Sequence, residues 1–147
     1  MMLRMQGWGL LCAMVLGATA GTTVAQSLPP VQTQLTSSGI GYVTGGVGQA
    51  QQNAMQEMKR DYTLRLTFAR PKSGEYLADV KVQIDQEGNH PVNAPMLGIT
   101  AGPMLFVKLP PGQYRVRAET AGQVQSRLVK ISRGSAKDLI YYFPPST

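Results

Sequence analysis

The chain is poor in the residues that most often build reactive centres. Its 147 residues include one cysteine, Cys12, and one histidine, His90. A nucleophilic dyad needs a base beside its nucleophile, and a protein metal site usually needs three or four ligands. With no second histidine or cysteine to join it, His90 in Gly88-Asn89-His90-Pro91 reads as an exposed loop residue. No catalytic, metal or cofactor site is expected. Charged residues make up 15% of the chain, well below the ~25% of typical soluble domains. The longest apolar run, Leu10 to Ala18, falls short of the ~20 residues that a membrane-spanning helix requires. The length excludes a multi-domain enzyme or a large barrel. A hydrophobic content of 43% excludes a wholly disordered chain.

What is present begins with an address. Arg4 and the amino terminus precede the Leu10–Ala18 run, and small and polar residues follow it. That order is a secretory signal peptide. Cleavage sites of the small-x-small kind follow Ala20 and Ala25, and the polar Gln26-Ser27 start favours Ala25. The expected leader is therefore residues 1–25. Leu11 before Cys12 is not the small residue of a lipidation site. Removal of the leader leaves no cysteine, so the exported chain must be held by an apolar core rather than by disulfides. Export follows from this reading.

Residues 26–46 are rich in Ser, Thr, Gln, Gly and Pro and carry no charge. They read as a flexible polar arm, with Leu35, Ile40, Tyr42 and Val43 able to dock part of it as an edge strand. Over 47–60, Val47, Ala50, Ala54, Met55 and Met58 share one face of a short helix, a face expected to pack on the domain.

From 61 to 143 the pattern changes to period two, the signature of half-buried strands. Tyr62, Leu64, Leu66 and Phe68 alternate with polar residues. The same holds for Ala78, Val80, Val82 and Ile84, for Leu105, Val107 and Leu109, for Tyr114, Val116 and Ala118, and for Leu139, Tyr141 and Phe143. In Gln123–Ile131 the phase breaks at Leu128-Val129, which predicts a bulge or a strand serving two faces. Turn-forming stretches separate the runs. Pro110-Pro111-Gly112 reads as a type II turn. The expected fold class is mainly β: a single antiparallel β-sandwich with one short N-terminal helix and a polar N-terminal arm.

The segment Gly102 to Val116, with Leu109, Pro110, Gly112 and Tyr114 in a strand–turn–strand signature, resembles the carboxypeptidase regulatory-like family. The resemblance covers roughly residues 62–132 and includes the Asp79-Val80-Lys81-Val82 strand and the Asp85–Gly88 turn. It implies an Ig-like or prealbumin-like sandwich without peptidase residues. The glycines at 45, 46 and 48, the helix, and Leu64 to Ala69 resemble a group of small exported proteobacterial proteins, which implies a periplasmic home. Ser132-Arg133-Gly134-Ser135 echoes the terminal tetrapeptide of transthyretin-like hydrolases, but 12 residues follow it here and the partner histidines are missing.

Other candidate chemistry is thin. Asp85, Glu87 and Asn89 faintly resemble a calcium loop that lacks its later acidic ligand, and a hairpin turn explains them better. Neither Glu75 with Asp79 nor Glu57 with Asp61 is brought together as an acid–base pair by any sequence pattern. Arg65, Arg115, Arg117, Arg127 and Lys130 remain, as a basic partner-binding face on exposed strands. The expectation is a non-enzymatic periplasmic binding module with a protein partner in the cell envelope. Nucleic acid and a membrane span after cleavage are not expected. The alternative is a carbohydrate-binding module, resting on the sandwich and the ring of Tyr142.

Overall fold

The computed structural model describes Gly21 and residues 31–88 and 96–146. The leader apart from Gly21, the start of the arm and His90 lie outside the described residues. Two sheets face each other. The first contains β1 (Gln34–Leu35), β2 (Gly41–Gly45), β6 (Met104–Val107), β3 (Leu64–Ala69) and β9 (Lys137–Tyr142), in the order β1-β2-β6-β3-β9. The second contains β5 (Leu97–Ala101), β4 (Val80–Gln86), β7 (Gly112–Thr120) and β8 (Gln123–Ile131), in the order β5-β4-β7-β8. The mainly β sandwich expected from the alternation is present.

The main core lies between the sheets. Leu64, Leu66 and Phe68 of β3 meet Val80, Val82 and Ile84 of β4, with Leu105, Tyr114, Val116, Tyr141 and Phe143 around them. The alternation puts these residues inward because successive side chains of a strand leave opposite faces. A second, smaller core lies on the outer side of the first sheet. There α1 (Gly48–Met58) sets Met55 against Val43, Met104 and Phe106, beside Tyr62 and Val31. Of the expected helical stripe, Met55 is fully buried and Ala54 and Met58 are partly buried, while Val47 is exposed. Gln51 fixes the helix start, its Oε1 accepting the Gly46 and Val47 N–H groups at 3.2 and 3.1 Å.

One open reading is settled and three details depart from the expected pattern. The arm docks over its second half: β1 and β2 form a hairpin on the sheet edge, and Val43 is completely buried beneath α1. One pair of strands, β3 with β9, is parallel, from Leu64↔Lys137 to Ala69↔Tyr142. The chain enters β9 by crossing from the second sheet, so no hairpin forces it to run against its neighbour. In β8 the pairing with β7 is continuous and contains no bulge. Finally, the φ of Gly112 is 158°, which is nearly extended and far from the value of about +80° in a type II turn. The Tyr114 hydroxyl closes this corner instead, donating to the Pro110 carbonyl at 2.7 Å.

Candidate binding face

Among the described residues no helix lies on the outer face of the second sheet. Clean alternation directs Lys81, Gln83 and Asp85 of β4 outward, with Gln113, Arg115, Arg117 and Glu119 of β7 beside them. Register then sets the rows. Lys81 lies between Thr100 and Glu119, and Gln83 lies between Gly98 and Arg117. The row continues from Arg117 to Ser126, and the next from Arg115 to Leu128. Gly98 contributes no side chain, so the longer residues around it form walls. The result is an open depression of about 500 Å³ lined by Lys81, Gln83, Gly98, Thr100, Arg117 and Glu119. A glycine inside a strand often marks a place where another group approaches the backbone closely.

The five basic residues expected on one face are divided by the sheets. Arg115, Arg117 and Lys130 share this outer surface. Arg115 Nε is held by Glu87 Oε1 at 2.8 Å. Neither Arg117 nor Lys81 has a carboxylate within ion-pair distance among the described residues. Arg65 belongs to the other sheet. Its Nη2 lies 2.9 Å from Asp138 Oδ2, and its Nε is buried with no partner among the described residues. Lys59 reaches the other oxygen of Asp138 at 3.7 Å.

Arg127 points into the sandwich rim. Its guanidinium lies 4.5 Å from the centroid of the Tyr141 ring, a cation–π arrangement. The rim explains the apparent phase break in β8. Inward positions there meet carbonyls rather than apolar side chains. Gln125 Nε2 donates to Tyr142 O at 2.5 Å, and Gln123 Nε2 donates to Pro144 O at 2.8 Å. Polar residues therefore point in, while Val124 and Leu128 stand exposed outside. Burial pushes the Tyr141 phenol up to about 12, with Arg127 pulling it partly back. Burial also raises Tyr114.

The remaining sequence candidates stay apart. Glu57, Asp61, Glu75 and Asp79 are all exposed. Glu87 serves the ion pair with Arg115 rather than a calcium loop, and Asn89 lies outside the described residues. Among the described residues no group of three His, Cys, Asp or Glu side chains gathers as metal ligands. Among them, too, no helix is long and apolar enough to cross a membrane.

Lys81, Gln83, Thr100 and Glu119 were not among the sequence candidates for the face. The outward phase of β4 and β7 carries the signal for three of them, but strand order is needed to bring Thr100 alongside. Tyr76 was also missed. It bridges Ala69 on one side while Tyr142 pairs with Ala69 on the other, so two half-exposed tyrosines flank one alanine. Tyr142 also borders a cavity of about 220 Å³ with Pro71, Lys72 and Gly74. No protein-family model matches this chain, and no curated protein matches it in sequence.

Proposed function

We propose that the protein is a non-catalytic binding module of the periplasm that holds an acidic segment of an envelope protein on the outer face of β5-β4-β7-β8. The observation that carries this is the glycine-floored depression flanked by Lys81 and Arg117. A carboxylate entering there meets two cations and the polar groups of Gln83 and Thr100, a combination suited to charge-assisted hydrogen bonds, while Glu119 beside Lys81 disfavours the end of the depression that it lines. Export rests on the leader at 1–25, and the sandwich with its Leu109-Pro110-x-Gly112-x-Tyr114 corner supports the regulatory-like resemblance. Crosslinking in cells, followed by mass spectrometry, identifies the partner. Its capture should fall at high salt, since salt weakens ion pairs between solvent-exposed charges. It should also fall with Arg117→Gln combined with Lys81→Gln. Capture that survives both conditions sinks the reading.

A carbohydrate-binding module is the second reading, favoured by Tyr76 joining Tyr142 beside Ala69 on the other sheet. Two rings on one flat strip offer stacking surface that a single ring does not. A glycan array, repeated with Tyr76→Ala and Tyr142→Ala, separates the two readings. Absence of any glycan hit removes this one.

A further inference from the structure

We infer that β8 is a self-association edge, pairing antiparallel with β8 of a second copy about a twofold axis at Ser126. The inference is independent of what binds the depression.

The edges of the two sheets are not equivalent. β1 is two residues long. At the β9 edge, Tyr142 O and Pro144 O already accept from Gln125 and Gln123, and Arg70 Nη1 adds bonds to Phe143 O and Pro144 O. β5, the other edge of the second sheet, has five residues; β8, in contrast, is nine residues long, regular, and last in its sheet among the described residues. Long free edges are templates for another strand.

The β7–β8 hairpin fixes which groups are free. Ala121 and Gly122 both have positive φ, 48° and 76°, as the type I′ turn of a two-residue hairpin requires. Thr120 and Gln123 close that turn and bond each other. Bonding to β7 then falls on the odd-numbered residues of β8. Val124, Ser126, Leu128 and Lys130 direct their N–H and C=O groups away from the sheet.

A second copy must match these even positions with even positions, which leaves three central registers. Centred on Arg127, the pair sets Arg127 against Arg127 and Val124 against Lys130. Like charges directly opposite are unfavourable. Centred on Leu128, it sets Ser126 against Lys130 and leaves Val124 without an apolar partner. Centred on Ser126, Val124 of each copy meets Leu128 of the other, and Arg127 meets Gln125. Val124 and Leu128 are 47% and 68% exposed in the single chain. They stand two residues on either side of Ser126, and only this register covers both. It also joins two four-stranded sheets into one of eight strands, with both depressions on the same outer surface. Such a contact is isologous and closed, so it stops at two copies.

The test uses the full chain with its sole cysteine, Cys12, changed to Ala. Ser126 residues facing each other across a bonded antiparallel pair have Cα atoms about 5.5 Å apart, within the ~4.4–6.8 Å that a disulfide spans. Ser126→Cys should therefore crosslink to a dimer under mild oxidation. Val124→Cys and Leu128→Cys should each stay monomeric alone and crosslink to each other when mixed. Without added thiols, sedimentation velocity should show a monomer–dimer equilibrium. Leu128→Lys should raise its dissociation constant by roughly tenfold by replacing an apolar pair with a charge, with an unchanged circular dichroism spectrum. The inference fails if the unmodified chain is monomeric at every concentration. It fails equally if Leu128→Cys crosslinks to itself as fast as Ser126→Cys, or if Leu128→Lys dimerises as well as the parent chain.

Discussion

β6 and β4 sit in opposite sheets and bury themselves differently. All four residues of β6, Met104 to Val107, are buried, whereas β4 buries Val80, Val82 and Ile84 and exposes Lys81, Gln83 and Asp85. The cause is α1. Where the helix lies on the first sheet, Met104 and Phe106 have somewhere apolar to point, and the alternation of polarity disappears. Where no helix lies, outward positions must suit water, and they become available for recognition. The same sandwich thus has a sealed side and an open side.

Removing volume from the shared core should damage both sides at once. Leu105→Ala empties a fully buried site between the sheets and should cost about 3–5 kcal/mol in chemical denaturation. Met55→Ala acts on the sealed side alone. We expect a loss of about 2–3 kcal/mol, with α1 loosening in hydrogen exchange before the strands do. An effect of Met55→Ala equal to that of Leu105→Ala would show that the two cores are one cooperative unit.

The rim between the sides responds to pH. In an unfolded chain the Tyr141 phenol ionises near pH 10, but in the fold burial pushes it up to about 12. The folded state holds this proton more tightly. Its contribution is complete below pH 10 and is lost as pH rises from about 10 to about 12, a fall on the order of 2 kcal/mol. Phenolate absorbance followed alongside unfolding checks this, and Tyr141→Phe should flatten that part of the profile.

Smaller changes complete the series. The Thr63 hydroxyl donates to Leu109 O and accepts from Leu109 N, both at 2.8 Å. Thr63→Val leaves that backbone pair unserved and should cost about 1–2 kcal/mol in thermal unfolding. On the open side, Glu87→Gln releases Arg115 from an exposed pair. Stability should change by about 1 kcal/mol or less, while capture of an acidic partner should rise. A stability loss as large as that of Thr63→Val would contradict the division between a sealed side and a bare one.

Much of this arrangement was legible in the chain because period two survives wherever one face is wet. Leu64, Leu66 and Phe68, or Tyr114, Val116 and Ala118, announce both strand and facing. β8 misled because its rim inverts the usual chemistry. Gln123, Gln125 and Arg127 face inward to carbonyls and a tyrosine ring, so Leu128 looked out of phase although the strand is regular. The parallel β3–β9 pair was hidden because direction depends on which sheet the chain crosses to, and no local residue records that. The short β1–β2 hairpin was equally faint, since its polar residues suit a loose arm as well as an edge. Of the binding face, the outward cations could be listed, but strand order alone decides that Arg117 shares a surface with Lys81 and not with Arg65.

The parallel partnership of β3 and β9 also governs when the molecule can exist. Leu64 must wait for Lys137, 73 positions later, before the first sheet acquires its final strand. During synthesis, most of the polypeptide therefore emerges before this fold can close. A chain so dependent on distant partners folds slowly compared with one built from neighbouring contacts. That delay keeps the polypeptide an open thread until nearly all of it has been made.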